Sequence, residues 1–131
     1  MSRPHDGDSF FMLVDVGFAG RYEAELRLDG VHAPEIHPMQ PGGAETLNFV
    51  NGWLAGVQNR HTDRRWPFWI EVVMTTSFEP NMNMSFTRYV ATVWDFERRY
   101  YPTEQVSDPA MSLNYAVTTF LAGHPEWPPG D

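Results

Sequence analysis

The sequence predicts an α+β protein, mainly β, in which a small barrel is closed by helices. The first observation is the order of elements: strand, strand, helix, strand, strand, helix, with one additional short strand possible. The second is that the strands are short and closely spaced, which is typical of small barrels. The third is a content of 42% apolar and 15% aromatic residues, which indicates a packed globule. The 131 residues are expected to form one domain, with 1–4 and 125–131 as tails.

The first two strands are predicted to form a hairpin. Residues 9–16 are apolar on both faces and rich in aromatic and β-branched residues, as in a buried strand. Residues 21–28 alternate between apolar and charged side chains, which predicts a half-buried strand. The side chains expected to point inward are Tyr22, Ala24, Leu26 and Leu28. Those expected to point outward are Arg21, Glu23, Glu25 and Arg27.

The first helix is predicted over residues 44–58, after a loop rich in proline and glycine at 36–43. Its apolar side chains recur at helical spacing and are Leu47, Val50, Leu54 and Val57, with Trp53 beside them. Gly52 and Gly56 each weaken a helix by about 1 kcal/mol relative to alanine. We expect these two glycines to let the helix approach the sheet closely.

The second half of the chain contains two more strands and a helix. A polar turn at 59–65, expected in solvent or in contact with nucleic acid, is followed by strands predicted at 66–75 and 86–94. The first of these strands alternates, with one face expected to carry Trp66, Phe68, Ile70, Val72 and Met74. Residues 97–107 are predicted as an irregular insertion, whose arginines and tyrosines would either stack on bases or pack on the barrel. Asp108 is predicted to cap the last helix and Gly123 to end it. The apolar stripe of this helix is Leu113, Ala116, Val117, Phe120 and Leu121.

A candidate site lies in residues 27–35, Arg-Leu-Asp-Gly-Val-His-Ala-Pro-Glu, where the second strand ends. Residues 29–30 favour a tight turn, and Pro34 disfavours a helix before it. A guanidinium beside a carboxylate is suited to phosphodiester hydrolysis, because Arg27 would hold a phosphate oxygen and Glu35 would accept a proton from water. The same two side chains would also form a surface salt bridge on a barrel strand.

Residues 27–35 resemble the signature of the staphylococcal nuclease (thermonuclease-like) family, Arg-Leu-x-Gly-Val-x-Ala-Pro-Glu. Other segments are similar to motifs of phage and bacterial members in the same order, namely Asp6-Gly7-Asp8-Ser9, Phe86-Thr87-Arg88-Tyr89-Val90-Ala91, Ser112-Leu113-Asn114 and Gly123-His124. The resemblance spans residues 5–125. It implies an OB-fold, a five-stranded Greek-key barrel that binds oligonucleotides, with two or three helices.

The resemblance also implies a divalent metal ion, calcium in the family, beside the scissile phosphate. Asp8 matches one metal-binding carboxylate, and His32 occupies the position of the other. Because calcium takes oxygen ligands, this imidazole is better suited to manganese or another transition metal. Glu35 matches the residue that activates or orients the attacking water. Arg27 and Arg88 match the pair that grips phosphate and stabilises the charge of the transition state.

The charge of the chain limits its partners. The net charge is −8, and all nine basic residues are arginine. Since nucleic-acid binding depends on neutralising phosphates, we expect DNA or RNA to bind weakly and in a salt-sensitive way. The chain has no cysteine, which excludes disulfides and thiolate chemistry. It has no apolar run of membrane-spanning length and no apolar signal core, so we expect a cytoplasmic protein, or a phage-encoded one associated with the virion.

Two functions from different classes are therefore predicted. The first is a metal-dependent phosphodiesterase that hydrolyses DNA or RNA with little sequence preference, for which we expect Asp8, Arg27, Glu35 and Arg88 to converge on one pocket at the barrel edge. The second is a catalytically weak or inactive nuclease fold with a structural or binding role, for example in a phage particle or another protein assembly. His32, the acidic charge and the aromatic insertion favour the second function.

Overall fold

A computed structural model describes residues 2–17, 20–36, 39–63, 66–76, 88–95 and 109–129. The protein is α+β, and the five strands found among these residues form one curled sheet with the shape of half a barrel. The strands are β1 (Ser2–Asp6), β2 (Ser9–Gly17), β3 (Gly20–Leu28), β4 (Phe68–Thr76) and β5 (Arg88–Asp95). The helices are α1 (Gly43–Arg60) and α2 (Leu113–Ala122).

The strand order in the sheet is β1-β2-β3-β5-β4. Successive neighbours are antiparallel except β3 and β5, which run parallel. A parallel pair needs a crossover connection, and α1 lies in the chain between β3 and β4. This topology is compatible with an OB-like fold and confirms the predicted α+β class.

The core joins one face of the sheet to both helices. Its buried side chains come from β2, β3, β5, α1, α2 and the segment after β3, and they are Phe10, Met12, Ala24, Leu26, Leu28, Val31, Val50, Leu54, Ala91, Val93, Leu113 and Val117. Burying each of the larger ones contributes about 1.5–3 kcal/mol. The alternation predicted for β3 is thus confirmed at Ala24, Leu26 and Leu28.

Glu25 corrects the set that was predicted to point outward, because it is only 3% exposed. The Cα atom of Glu25 pairs with that of Phe11 on β2 and with that of Arg88 on β5. Because β3 lies between β2 and β5, a residue in the middle of β3 has neighbouring residues on both sides and is less accessible to water. Arg21 and Glu23, nearer the start of the strand, are exposed as predicted.

Helix α1 begins one residue earlier and ends two residues later than the predicted 44–58. Val50, Leu54 and Val57 are buried as predicted, whereas Leu47 is half-buried. The prediction for the two mid-helix glycines is wrong. A Cβ at Gly52 would have no neighbour within 4 Å, and one at Gly56 would meet only Arg60 of the same helix.

The end of α1 is tied to β5 through the buried carboxylate of Asp95. Asp95 is 1% exposed and His61 is 5% exposed. The carboxylate of Asp95 lies 2.9 Å from Nε2 of His61 through Oδ1, and its Oδ2 accepts from Nη2 of Arg60 at 2.5 Å. The turn at 59–65, predicted to be polar and solvated, therefore contributes a buried histidine to the contact between helix and sheet.

Strand β4 departs from the alternation predicted for 66–75. Its pairing with β5 has a register shift between Val72 and Met74. The extra residue of this bulge is Val73, and a bulge disrupts the ladder locally and bends the strand. Val72, predicted to share a face with Phe68 and Ile70, is 52% exposed, whereas those two side chains are half-buried, and Val73 is 50% exposed. Among the strands that the structure describes, β4 is the last of the sheet, next to β5 alone.

The start of the second helix also differs from the prediction. Pro109–Met111 form a short 3-10 helix, and α2 begins at Leu113. The cap is Ser112, whose hydroxyl accepts from the backbone N–H of Tyr115 at 3.0 Å. The predicted cap, Asp108, lies outside the described residues. Gly123 ends the helix as predicted.

The two predicted tails are partly ordered against the fold. Residues 2–4 belong to β1 and pair with β2. This pairing satisfies backbone N–H and C=O groups that β2 would otherwise present at an exposed edge. Trp127 packs against Gly42, where an added Cβ would lie 2.2 Å from its ring. Residues 77–85 and the predicted insertion at 97–107 lie outside the described residues. Within the described part of the chain, neither helix is long and apolar enough to cross a membrane.

Candidate functional site

The turn after β3 brings the segment 31–35 back toward the start of the chain. Gly30 has a φ of 75°, which an L side chain rarely adopts. The backbone N–H of Asp29 donates to the carbonyl of Ala91 on β5 at 3.0 Å, and that of Val31 donates to the carbonyl of Leu28 at 3.3 Å. The exit of β3 is thereby fixed between β2 and β5.

Asp8 and Ala33 join two of the motifs that carry the family resemblance. The backbone N–H of Ala33 donates to Oδ2 of Asp8 at 3.0 Å, and the hydroxyl of Ser9 lies 3.4 Å from Oδ1. The carbonyl of Asp8 accepts from the backbone N–H of Leu28 at 2.8 Å. Asp8 is 1% exposed and Ala33 is fully buried, so this hydrogen bond is protected from water.

Gly7 allows these segments to approach each other. A Cβ at Gly7 would lie 2.5 Å from Cγ2 of Thr46 on α1 and 2.9 Å from Cβ of Ala33. Distances below 3.0 Å require the neighbouring atoms to shift. The turn after β1, the segment after β3 and the first turn of α1 therefore pack at a point where no side chain larger than hydrogen fits.

Arg27 and His32 face each other across the exit of β3. The distance between Nη2 of Arg27 and Nδ1 of His32 is 3.5 Å. Arg27 is half-exposed and His32 is exposed, and the Cα of Arg27 pairs with that of Ser9. A guanidinium and an imidazole at this distance can both donate to one phosphate or carboxylate.

Glu35 is half-buried, and its backbone is fixed by the loop before α1. Its N–H donates to Oε1 of Gln40 at 2.8 Å, and its carbonyl accepts from the backbone N–H of Gln40 at 2.9 Å. The same carbonyl would lie 2.4 Å from a Cβ at Gly43. Gln40 and Gly43 thus hold the predicted catalytic glutamate in place. The sequence analysis missed them, since neither stands in a motif.

Arg88 is the first residue of β5, and its side chain is outside the described part of the structure. Its Cα pairs with that of Glu25, and the Cα of Val90, two residues later, pairs with that of Arg27. Both arginines that the resemblance assigns to phosphate binding therefore stand on adjacent parallel strands. The predicted convergence of Arg88 with Glu35 stays a prediction at the level of side chains.

Asn114 of α2 links the turn after β3 to the neighbouring strand β5. Its amide nitrogen donates to the carbonyls of Asp29 and Ala91, each at 3.0 Å, and its amide oxygen accepts from the backbone N–H of Val93 at 3.1 Å. One buried side chain thereby bonds the turn after β3 to β5. The sequence analysis recognised Asn114 only as part of a motif, without this role.

The predicted metal ligands, Asp8 and His32, have different surroundings. A carboxylate has about four lone-pair sites, so Asp8 can accept from Ala33 and still bind a hard cation. The Nδ1 atom of His32 faces a guanidinium, and that charge disfavours a divalent ion at this atom. No group of three or more His, Asp or Glu side chains suited to a metal occurs among the described residues, which do not include the side chain of Asp6.

The chain was compared with protein-family models, with curated proteins and with solved structures, and none of the three comparisons gives a match.

Proposed function

We propose that this chain is a metal-dependent phosphodiesterase that hydrolyses DNA or RNA with little sequence preference, on an OB-fold barrel of the staphylococcal nuclease type. One observation carries the proposal: the hydrogen bond from Ala33 to Asp8 joins two sequence-distant motifs at one edge of the sheet. Arg27 is the last residue but one of β3, and its Cα pairs with that of Ser9, next to Asp8.

The roles follow from the chemistry of each side chain. Arg27 holds a non-bridging phosphate oxygen by charge-assisted hydrogen bonds, and Arg88 from the adjacent strand stabilises the charge that develops in the transition state. Glu35 accepts a proton from the attacking water or orients it. Asp8 supplies an oxygen ligand for the divalent ion, which when bound polarises the phosphate.

A second function is favoured by a specific observation. The carboxylate of Asp8 is almost fully buried and holds Ala33, so Asp8 has a structural role whether or not a metal binds. With His32 at the position of the second metal carboxylate and a net charge of −8, the chain is then a nuclease fold with weak or no hydrolysis. Such a module would have a binding or structural role, for example in a phage particle or another assembly.

A cleavage assay separates the two functions. Plasmid and single-stranded DNA and RNA are incubated with calcium, magnesium, manganese or a chelator, using the wild type and Glu35→Gln. A nuclease is expected to cleave in at least one metal and not in chelator. Loss of the general base is expected to lower the rate by about 10²–10⁴-fold.

Asp63→Asn is the matched control, since it also removes one negative charge. Asp63 is exposed and lies beyond the far end of α1, whose 18 residues span about 27 Å. Asp63→Asn is expected to keep the wild-type rate. No cleavage of any substrate in any metal would reject the hydrolytic function and leave the structural one. Equal cleavage by wild type and Glu35→Gln would reject the role of Glu35 as the residue that activates water.

A further inference from the structure

A cleft of about 250 Å³ opens beside the candidate site, between the segment after β3 and the end of the chain. We call it the terminal cleft. One wall contains His32 and Pro34, and the opposite wall contains Leu121, His124, Trp127 and Pro128. Pocket volumes for drug-sized ligands are about 300–1,000 Å³, so the terminal cleft is suited to one flat ring system and not to a larger ligand.

The aromatic wall of the terminal cleft is rigidly built. The rings of His124 and Trp127 are stacked, with centroids 3.9 Å apart and planes within 8°. The ring of Phe120 is tilted against both rings, with centroid distances of 5.2 and 5.7 Å, and it stacks on Phe49 of α1 at 4.4 Å. The end of the chain therefore offers preformed aromatic surface for a ligand.

The terminal cleft is continuous with the candidate phosphate site. His32 belongs to its wall, and Nδ1 of the same ring lies 3.5 Å from Nη2 of Arg27. One residue thus separates a cationic end, suited to a phosphate, from an apolar and aromatic end, suited to a ring. A nucleotide unit has these two parts side by side.

The charges beside the cleft also favour a phosphate near Arg27 and a neutral base near His124. Glu126 does not line the cleft, but its Oε2 lies 3.2 Å from Nδ1 of His124, which does. A hydrogen bond from the backbone of Glu126 and another from His124 lower the pKa of the Glu126 carboxyl. An ionised carboxylate beside His124 repels a phosphate there and leaves a neutral base as the acceptable group.

We propose that the terminal cleft binds one nucleobase of a single-stranded polynucleotide, stacked against the aromatic wall, while Arg27 and His32 hold the adjacent phosphate. This rests on the proposed nucleic-acid substrate and adds the subsite that contacts a base. Stacking is tolerant of base identity, because every base has a π face. The base subsite would also select single strands, since a paired base is not free to enter the cleft.

The test compares a short single-stranded oligonucleotide with an abasic strand of the same length and charge, at low ionic strength and with chelator to prevent hydrolysis. The wild type is expected to bind the normal strand about 5- to 150-fold more tightly, which is the contribution of one stacked base. Ala122→Trp fills the cleft from an exposed position and is expected to reduce this ratio to one. Thr118→Trp is the control, because Thr118 is exposed on the same helix and does not line the cleft.

Each result decides a different question. A ratio that Ala122→Trp removes and Thr118→Trp keeps supports the base subsite. Equal binding of normal and abasic strands by the wild type overturns the base subsite and leaves the proposed function standing. A normal-to-abasic ratio that survives in Ala122→Trp places base recognition elsewhere and also overturns it. Failure of the wild type to bind either strand overturns the nucleic-acid substrate together with the subsite.

Discussion

Ala33 donates its backbone N–H to the buried Oδ2 atom of Asp8 over 3.0 Å, which makes neighbours of residues 25 positions apart. The same aspartate accepts through its carbonyl from Leu28, at the end of β3. A single residue therefore holds both the strand end that carries Arg27 and the segment that carries His32 and Glu35. The geometry of the candidate site depends on Asp8 even before any metal is considered.

Asp8→Ala is expected to destabilise the protein by about 1–3 kcal/mol, because it leaves the buried N–H of Ala33 without an acceptor. Asp8→Asn keeps an oxygen acceptor and is expected to cost less, although it removes the charge that a metal needs. Urea unfolding measures both costs, and calorimetry with calcium or manganese measures metal binding. Equal loss of stability in the two variants would contradict the role of the oxygen acceptor.

His32→Asp is expected to raise calcium affinity by about tenfold or more if the chain is an active nuclease. The change adds an oxygen ligand and one negative charge, and the affinity of a hard cation follows both. In a structural module the new carboxylate pairs with the nearby guanidinium of Arg27, and no nuclease activity appears in any metal. Calcium calorimetry and cleavage of a labelled oligonucleotide distinguish these outcomes.

His32→Asn is the control for that experiment, since it supplies an oxygen of similar reach without the charge. It is expected to raise calcium affinity less than His32→Asp does. A wild type that cleaves well with calcium and loses this activity in His32→Asp would show that position 32 is misassigned as a metal ligand.

Asp95→Asn is expected to lower the free energy of unfolding by about 1–3 kcal/mol, because the buried carboxylate contacts both Arg60 and His61, whereas an amide has only one oxygen to accept with. The larger part of this cost is expected from the contact with His61, which is buried, since the side chain of Arg60 is 53% exposed and can turn to solvent. Urea unfolding of Asp95→Asn beside the exposed Asp63→Asn tests this. A similar small cost in both variants would mean that the pair contributes little.

Local patterns in the sequence were sufficient for most of the elements. Period-2 alternation located the buried face of β3, and helical spacing located those of α1 and α2. Such patterns indicate which side chains of an element are buried in the core. They do not depend on which strand or helix packs against that element. The predictions that failed concern residues whose surroundings are set by the topology, such as Glu25 on an interior strand and Val72 beside a bulge.

For the candidate site, the motifs likewise indicated the segments involved but not the residues that fix these segments in place. The motifs indicated Asp8, Arg27 and Glu35 as residues of one site, and the structure brings the segments of Asp8 and Glu35 together through Ala33. The groups that fix these segments, Gln40 and Asn114, act through hydrogen bonds to backbone atoms of distant residues. Every residue type supplies a backbone carbonyl, and every type except proline supplies an N–H, so no sequence pattern marks these bonds.

Gly7→Ala and Gly52→Ala are expected to change stability in opposite directions. At Gly7 the new methyl group would lie 2.5 Å from Thr46, which is fully buried, and overpacking of this kind costs about 1–3 kcal/mol. At Gly52 a methyl group meets nothing within 4 Å, and alanine is better than glycine inside a helix by about 0.5–1 kcal/mol. Thermal and urea unfolding of both variants give the two signs.

Because Gly7 sits between Ala33 and Thr46, its variant is also expected to shift the segment that carries Glu35 and so to lower any cleavage activity, whereas Gly52→Ala leaves activity unchanged. A Gly7→Ala protein as stable and active as the wild type would refute the close packing that positions the site.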